Sequence, residues 1–275
     1  MLYCLDSRQF GPVRRFHKRV GTRIPAAARR RLQMKRALLS FAILLLLVSS
    51  GLAQQTATVP AQHSAHPPST SPQPPSADKI WADLMEGNRR FVTGKAHSHE
   101  SVSLRKSLAT GQHPKVIVLA CSDSRVAPEL VFDQNLGDLF VIRSAGNVAD
   151  AIGVGSIEYA AEHLGSSLLV VLGHTKCGAV RAACSGEKMP TPNMQAFVDK
   201  IDPAVSQAKK AGVTDGALVE AAIKENVHQS AKDVLASSAV LRHLVEDGKL
   251  TVFEAEYQLE TGEVVRLDGG HHESP

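Results

Sequence analysis

Cysteine is scarce in this chain, a membrane-length apolar run is missing, and basic charge is thin outside one end. Four cysteines occur in 275 residues. Cys4 lies in a basic leader, which leaves Cys121, Cys177 and Cys184, an odd set that does not read as a disulfide framework. The longest apolar run, Ala37 to Val48, holds about a dozen residues, short of the ~20 that a spanning helix needs. Gly153-x-Gly155 lacks the third glycine and the strand-turn setting of a dinucleotide fingerprint, which excludes NAD. No internal repeat is visible. Of the 31 Lys and Arg, 11 fall within residues 1–36 against a single acid, Asp6. Without residues 1–53 the chain carries 20 basic and 26 acidic side chains (31 less 11, 27 less 1), a net −6 rather than +4. The basic balance therefore belongs to the leader and gives no support for nucleic-acid binding.

The leader has its own logic. A basic stretch, the apolar run and the ending Ser49-Ser50-Gly51-Leu52-Ala53 match a secretory signal cleaved after Ala53, which predicts a periplasmic or secreted protein with no stable membrane span. Met34-Lys35-Arg36 is a conventional signal start, so residues 1–33 read as an upstream extension; a genuine long basic leader is the alternative. Read otherwise, the apolar run is an uncleaved anchor or a buried helix. Residues 54–77 are rich in Pro, Ser, Thr, Gln and Ala and cannot bury a core, which predicts a disordered linker. The globular domain is expected over residues 78–267, followed by a flexible tail, 268–275.

Within that domain, Val116–Ala120, Leu139–Ile142 and Leu168–Leu172 are continuous apolar, β-branched runs of the kind buried in parallel sheets. Between the last two, Gly153–Leu164 has helical spacing, with Ile157, Ala160, Ala161 and Leu164 on one stripe and Gly165 as its stop. Strand, helix, strand at this spacing is a βαβ unit and predicts an α/β fold. Asp78–Phe91 reads as an amphipathic helix with Ile80, Leu84 and Phe91 inward and Trp81 packing beside them. Two or three helices should fill Met194–Asp247. Thr251–Leu267 alternates as a hairpin turning at Glu260-Thr261-Gly262. Cys184 reads as a small buried apolar residue. His163, at a helix end, and His228 and His243, on predicted helices, read as exposed or satisfied.

Chemistry concentrates in two short segments just past separate strands. Cys121-x-Asp123-x-Arg125 is followed 49 residues later by His174-x-x-Cys177. Two thiolates and an imidazole are a ligand set that zinc prefers, and three protein ligands leave a fourth position open. Ligands in open α/β sheets collect beyond the carboxyl ends of the strands, where these segments fall. A structural zinc has no use for Asp123 and Arg125, whereas beside an activated water both are useful. The competing readings are a structural zinc, a Cys121–Cys177 or Cys177–Cys184 disulfide, and a plain surface ion pair for Asp123 and Arg125.

Cys-Ser-Asp-Ser-Arg-Val at 121–126 and Gly-His-Thr-Lys-Cys-Gly at 173–178 resemble the paired signatures of the β-class carbonic anhydrases, and Arg-Ser-Ala-Gly-Asn at 143–147 resembles the segment between them. The resemblance runs from about Trp81 to Leu267. It implies a mostly parallel central β-sheet flanked by helices and one Zn2+ per subunit on Cys121, His174 and Cys177. Asp123 and Arg125 become the catalytic pair, with Asp123 also a fourth ligand in a closed state. It further implies CO2 hydration to bicarbonate by zinc-bound hydroxide. Gln112, Phe140, Tyr159 and Gly178 fall at substrate-binding positions of plant-type members, whose pockets form at a dimer interface, so a homodimer or higher homo-oligomer follows. Val118 stands where bicarbonate-regulated members carry tryptophan, which predicts no such regulation. The rival readings are a CS2 or COS hydrolase on the same scaffold and a non-catalytic zinc-binding protein.

Overall fold

The computed structural model describes residues 75–97 and 101–267. The leader, the cleavage point after Ala53, nearly all of the linker and the tail 268–275 lie outside the described residues. The described chain runs α1 (Ala77–Val92), α2 (Val102–Ser107), β1 (Val116–Cys121), α3 (Pro128–Val131), β2 (Leu139–Ser144) and α4 (Ala151–Glu162). It continues through β3 (Leu168–His174), α5 (Gly178–Ser185), α6 (Pro192–Lys210), α7 (Leu218–Ser237), α8 (Ala239–Glu246), β4 (Thr251–Tyr257) and β5 (Val264–Arg266).

The strands form one sheet in the order β2-β1-β3-β4-β5. Strands β1 to β4 pair in parallel and β5 closes antiparallel on β4, as the hairpin reading of 251–267 requires. Every residue of β1 and β3 is buried, because helices cover both faces. One face, with Val118, Ala120, Val170 and Leu172, packs on Ile80 and Leu84 of α1, and the Trp81 ring meets Phe253 edge-on at 5.6 Å. The other, with Ile117, Leu119, Leu169 and Val171, packs on α4 and α7. Each such Val, Leu or Ile contributes roughly 1.5–3 kcal/mol of burial free energy. Edge strand β2 stays only partly buried along its length. Among the described residues no helix is long and apolar enough to cross a membrane.

Two local features set the site. Asp150 caps α4, its carboxylate accepting from the Gly153 amide at 2.8 Å, so the helix starts at Ala151, two residues before the expected start at Gly153. At the end of β3, Gly173 lets α7 approach, since a Cβ there would lie 2.4 Å from a Val227 methyl. Cys184 departs from expectation: it is half-buried, on the rim of α5. His228 is satisfied by Glu254 at 3.2 Å, while His163 and His243 are exposed.

The alternation of β4 hides a cost. Glu254 and Glu256 are buried because α7 covers their face, and Glu256 Oε1 has no hydrogen-bond partner. Burial pushes the Glu256 carboxyl above its ordinary value, with Lys224 opposing and Glu220 reinforcing the shift. A raised folded-state value means that stability is favoured below the unfolded carboxyl pKa and lost as pH rises through the folded one. Glu256→Gln, which keeps an acceptor for Gln258, is therefore expected to stabilise the domain at about pH 8 by on the order of 1 kcal/mol and to change little near pH 4. Thermal melts of both proteins at the two pH values check this.

Candidate metal centre

Parallel register brings the two signature segments together. Ala120 pairs with Leu172, so Cys121 ends β1 beside Gly173 and His174 ends β3 one residue further on. Lys176 then takes a left-handed conformation (φ 57°), rare for a non-glycine residue, which turns the chain back so that Cys177 caps α5. Its amide donates to Glu220 on α7 at 3.2 Å, and its ammonium pairs with Glu260, which hold the turn in place.

The result is a closed trio. One ligand atom from each of Cys121, His174 and Cys177 lies within 4.8 Å of the others, and all three residues are buried. The two sulfurs stand 4.0 Å apart. That is far beyond a disulfide bond and near the ~3.8 Å that two 2.3 Å zinc–sulfur bonds at a tetrahedral angle require. All three described cysteines are free, which removes the disulfide reading. His174 Nδ1 lies 2.9 Å from the Thr175 carbonyl, which can only accept, so Nδ1 carries the proton and Nε2 offers a lone pair. Nε2 has no hydrogen-bond partner although His174 is fully buried. An isolated imidazole nitrogen facing two sulfurs is costly unless a cation takes it.

Thiol electrostatics agree. The contact with Cys177, then the neighbouring His174 ring and the amides of Gly146 and Asp123, hold the Cys121 thiol well below its ordinary range, against burial. The same contact with Cys121, together with burial, pushes Cys177 up. Two thiolates at this separation repel, and a dication is what allows both to lose their protons.

Asp123 borders the trio, its Oδ2 3.9 Å from His174 Nε2. Arg125 grips it through a fork: Nε donates to Oδ1 at 2.9 Å and Nη2 to Oδ2 at 2.7 Å, while the Arg125 amide also donates to Oδ1 at 3.0 Å. The guanidinium is the main cause that keeps the Asp123 carboxyl far below the usual range, with its own amide bond and His174 adding to it and burial opposing. The carboxylate is mostly buried (17% exposed) and the arginine is not (57%). Arg143, unnoticed in the sequence except as part of a motif, donates to the Cys121 carbonyl at 3.0 Å and to the Asp123 carbonyl at 2.6 Å, fixing the loop that carries both.

The expected substrate residues divide. Gly178 opens α5 directly after Cys177, with open space around its Cα, and so lies at the centre. Gln112 does not: it is exposed before the amino end of β1, and the five steps from Val116 to Cys121 put at least about 16 Å of strand between them. Phe140 pairs with Ile117, also toward that end, and its ring lies 6.4 Å from Tyr159, which is 49% exposed. Within one chain the sheet holds Gln112 and the aromatic pair apart from the sulfurs, so a pocket that includes them has to form between subunits, as the resemblance implies.

A thiolate–imidazole cage at the carboxyl ends of parallel strands, flanked by a clamped carboxylate, defines an α/β metalloenzyme. The family model described as carbonic anhydrase matches residues 116–264. Carbonic anhydrase 2 of Mycobacterium tuberculosis is 39% identical over 192 residues, covering 68% of this chain and 91% of that protein. The carbonic anhydrase of Mycolicibacterium smegmatis is 37% identical over 188 residues, covering 67% and 90%. The solved β-carbonic anhydrase CafA of Aspergillus fumigatus aligns with a TM-score of 0.56 at 28% identity, over 70% of this chain and 91% of that one. The chain belongs to the β-class carbonic anhydrase family.

Proposed function

We infer that the chain catalyses the reversible hydration of CO2 to bicarbonate and a proton, with one zinc ion per subunit held by Cys121, His174 and Cys177. The carrying observation is the buried, unpartnered His174 Nε2 facing two sulfurs, with the Asp123 carboxylate at its edge. Bound zinc supplies the Lewis acid that makes water a nucleophile near neutral pH. Asp123 Oδ2 accepts a hydrogen bond from the attacking water and orients it toward CO2. Arg125 holds both carboxylate oxygens, in a geometry lysine cannot copy, and so keeps Asp123 from closing over the metal. The Gly178 amide, at the start of α5, is placed to donate to an oxygen that gains negative charge.

Gln112, Phe140 and Tyr159 serve this site only from a second copy of the chain. The partly buried edge of β2 and the exposed face of Tyr159 support a homodimer or higher homo-oligomer in which each subunit completes its neighbour's pocket. The signal-like residues 1–53 support export, and amino-terminal sequencing of the secreted or periplasmic protein is expected to begin at Gln54.

Stopped-flow CO2 hydration with metal analysis on one purified sample tests the assignment. Faster turnover of CS2 or COS than of CO2 would move it to a heterocumulene hydrolase. Stoichiometric zinc without hydration between about pH 6.5 and 9, where zinc-activated water titrates, would leave a zinc-binding protein without catalysis.

A further inference from the structure

Asn226 has no role in the constellation above, yet it is 1% exposed in the middle of α7. A buried asparagine stays only where its amide is used. Its Nδ2 donates to the Gly146 carbonyl at 2.7 Å, a bond fully out of solvent that joins residues 80 positions apart. The orientation is fixed by chemistry, since a carbonyl oxygen accepts only from the nitrogen end of the amide.

Gly146 in turn touches the metal trio. Its amide donates to Cys121 Sγ at 3.3 Å. It holds a left-handed conformation (φ 69°), which favours glycine, and a Cβ would sit 2.6 Å from the Ile201 Cδ1 of α6, which would have to shift to admit it. The next residue, Asn147, is also left-handed (φ 48°) and 2% exposed. Such a turn persists only when neighbours over-determine it. Asn226 supplies the short bond that does so, while Ser230, one helical turn on, makes only a 3.4 Å contact with the Asn147 side chain.

We propose that Asn226 is a positioning residue for the metal centre: by holding the Gly146 carbonyl it aims the Gly146 amide at the Cys121 sulfur and so sets how strongly that thiolate donates to the metal. Amide-to-sulfur hydrogen bonds withdraw electron density from a thiolate and fix its direction, and outer partners of this kind tune a metal nearly as much as the ligands do. The two bonds run through different peptide units, one on each side of the Gly146 Cα, so the effect is geometric: fixing the carbonyl fixes the φ and ψ that point the amide. The proposal rests on the metal centre assigned above.

Cobalt(II) bound to the full chain reports on it, because thiolate-to-cobalt charge-transfer bands follow the donor strength of the sulfur. Asn226→Leu keeps the size of the side chain and removes the donor; Asn226→Asp keeps the shape and presents only acceptors when ionised. Each is expected to move the charge-transfer band to lower energy and to weaken cobalt binding in a chelator competition by about 10- to 100-fold. Ser230→Ala, which leaves the Gly146 carbonyl bond intact, is expected to leave the band in place. Should the substitutions at 226 prevent folding, the wild-type protein loaded with cadmium-113 supplies a second measurement: a scalar coupling from the Gly146 amide proton to the metal through Cys121. An unchanged band and affinity in a folded variant, an equal shift in Ser230→Ala, or no such coupling in the wild type overturns the proposal. Failure of the wild-type protein to bind cobalt at all would instead overturn the metal centre itself.

Discussion

Replacing Cys177 with serine is expected to strip the protein of zinc and to lower CO2 hydration by roughly 10³-fold or more. The size follows from what the metal does. Lewis-acid activation supplies several kcal/mol of transition-state stabilisation, and each 1.36 kcal/mol is tenfold in rate. Serine matches cysteine in shape, but its hydroxyl is not ionised near neutral pH and is a far poorer partner for zinc than a thiolate. Only Cys121 and His174 would remain. Cys177 is 1% exposed and caps α5, so water has little access to the position its sulfur leaves, and the nearest other donor, the Asp123 carboxylate, is held by Arg125. Because the trio ties the ends of β1 and β3 to α5, metal loss should also lower the melting temperature, as expected when a ligand binds only the folded state. Metal analysis, stopped-flow kinetics and a thermal melt on one preparation check all three. Chelator-treated wild-type protein should regain activity on adding zinc, and Cys177→Ser should not. Full activity in a zinc-free variant would remove the sulfur cage from the mechanism.

The parts of this site visible in the sequence are those whose physics is local. Val116–Ala120 and Leu168–Leu172 are too β-branched and too evenly apolar for a surface helix, so their burial and parallel pairing were readable, and with them the convergence of Cys121 and His174 at strand ends. The link from Asp123 to Arg125 spans two residues and is likewise local. What escaped reading depends on distant packing. Asn226 lies on a helix whose periodicity treats it as one more polar residue, and only the seating of α7 on β3 brings it to Gly146. Glu254 and Glu256 alternate as a solvated strand face does, yet α7 covers them. Gln112 is a different case. Resemblance placed it at a pocket formed between subunits, and the length of β1 keeps it at the far end of its own subunit. A single chain's pattern carries no record of which copy supplies a residue.

Arg125→Lys is expected to lower hydration roughly 10- to 100-fold, the range typical of residues that orient a metal site from outside, while leaving zinc content and melting temperature nearly unchanged. The last point separates a clamp from a surface ion pair. Arg125 is 57% exposed, so its attraction to Asp123 is largely screened and contributes little to folding. Its geometry is what matters: Nε and Nη2 meet Oδ1 and Oδ2 in a planar fork that fixes the carboxylate beside His174 Nε2. Lysine retains the charge but donates from a single point, so one carboxylate oxygen is released and can swing toward the metal. The clamp also keeps the Asp123 carboxyl below its usual range. A lowered value means the acceptor is ionised throughout neutral pH and is lost only when acid titrates through the folded-state value, so the wild-type Asp123 should impose no activity limit above about pH 5. Zinc X-ray absorption then distinguishes the outcomes. Wild-type protein should show two sulfurs and one imidazole with Asp123 outside the coordination sphere at neutral pH, and Arg125→Lys should show the carboxylate bound. Wild-type kinetics in Arg125→Lys would reduce the pair to an ordinary surface contact and transfer the orienting role to another group.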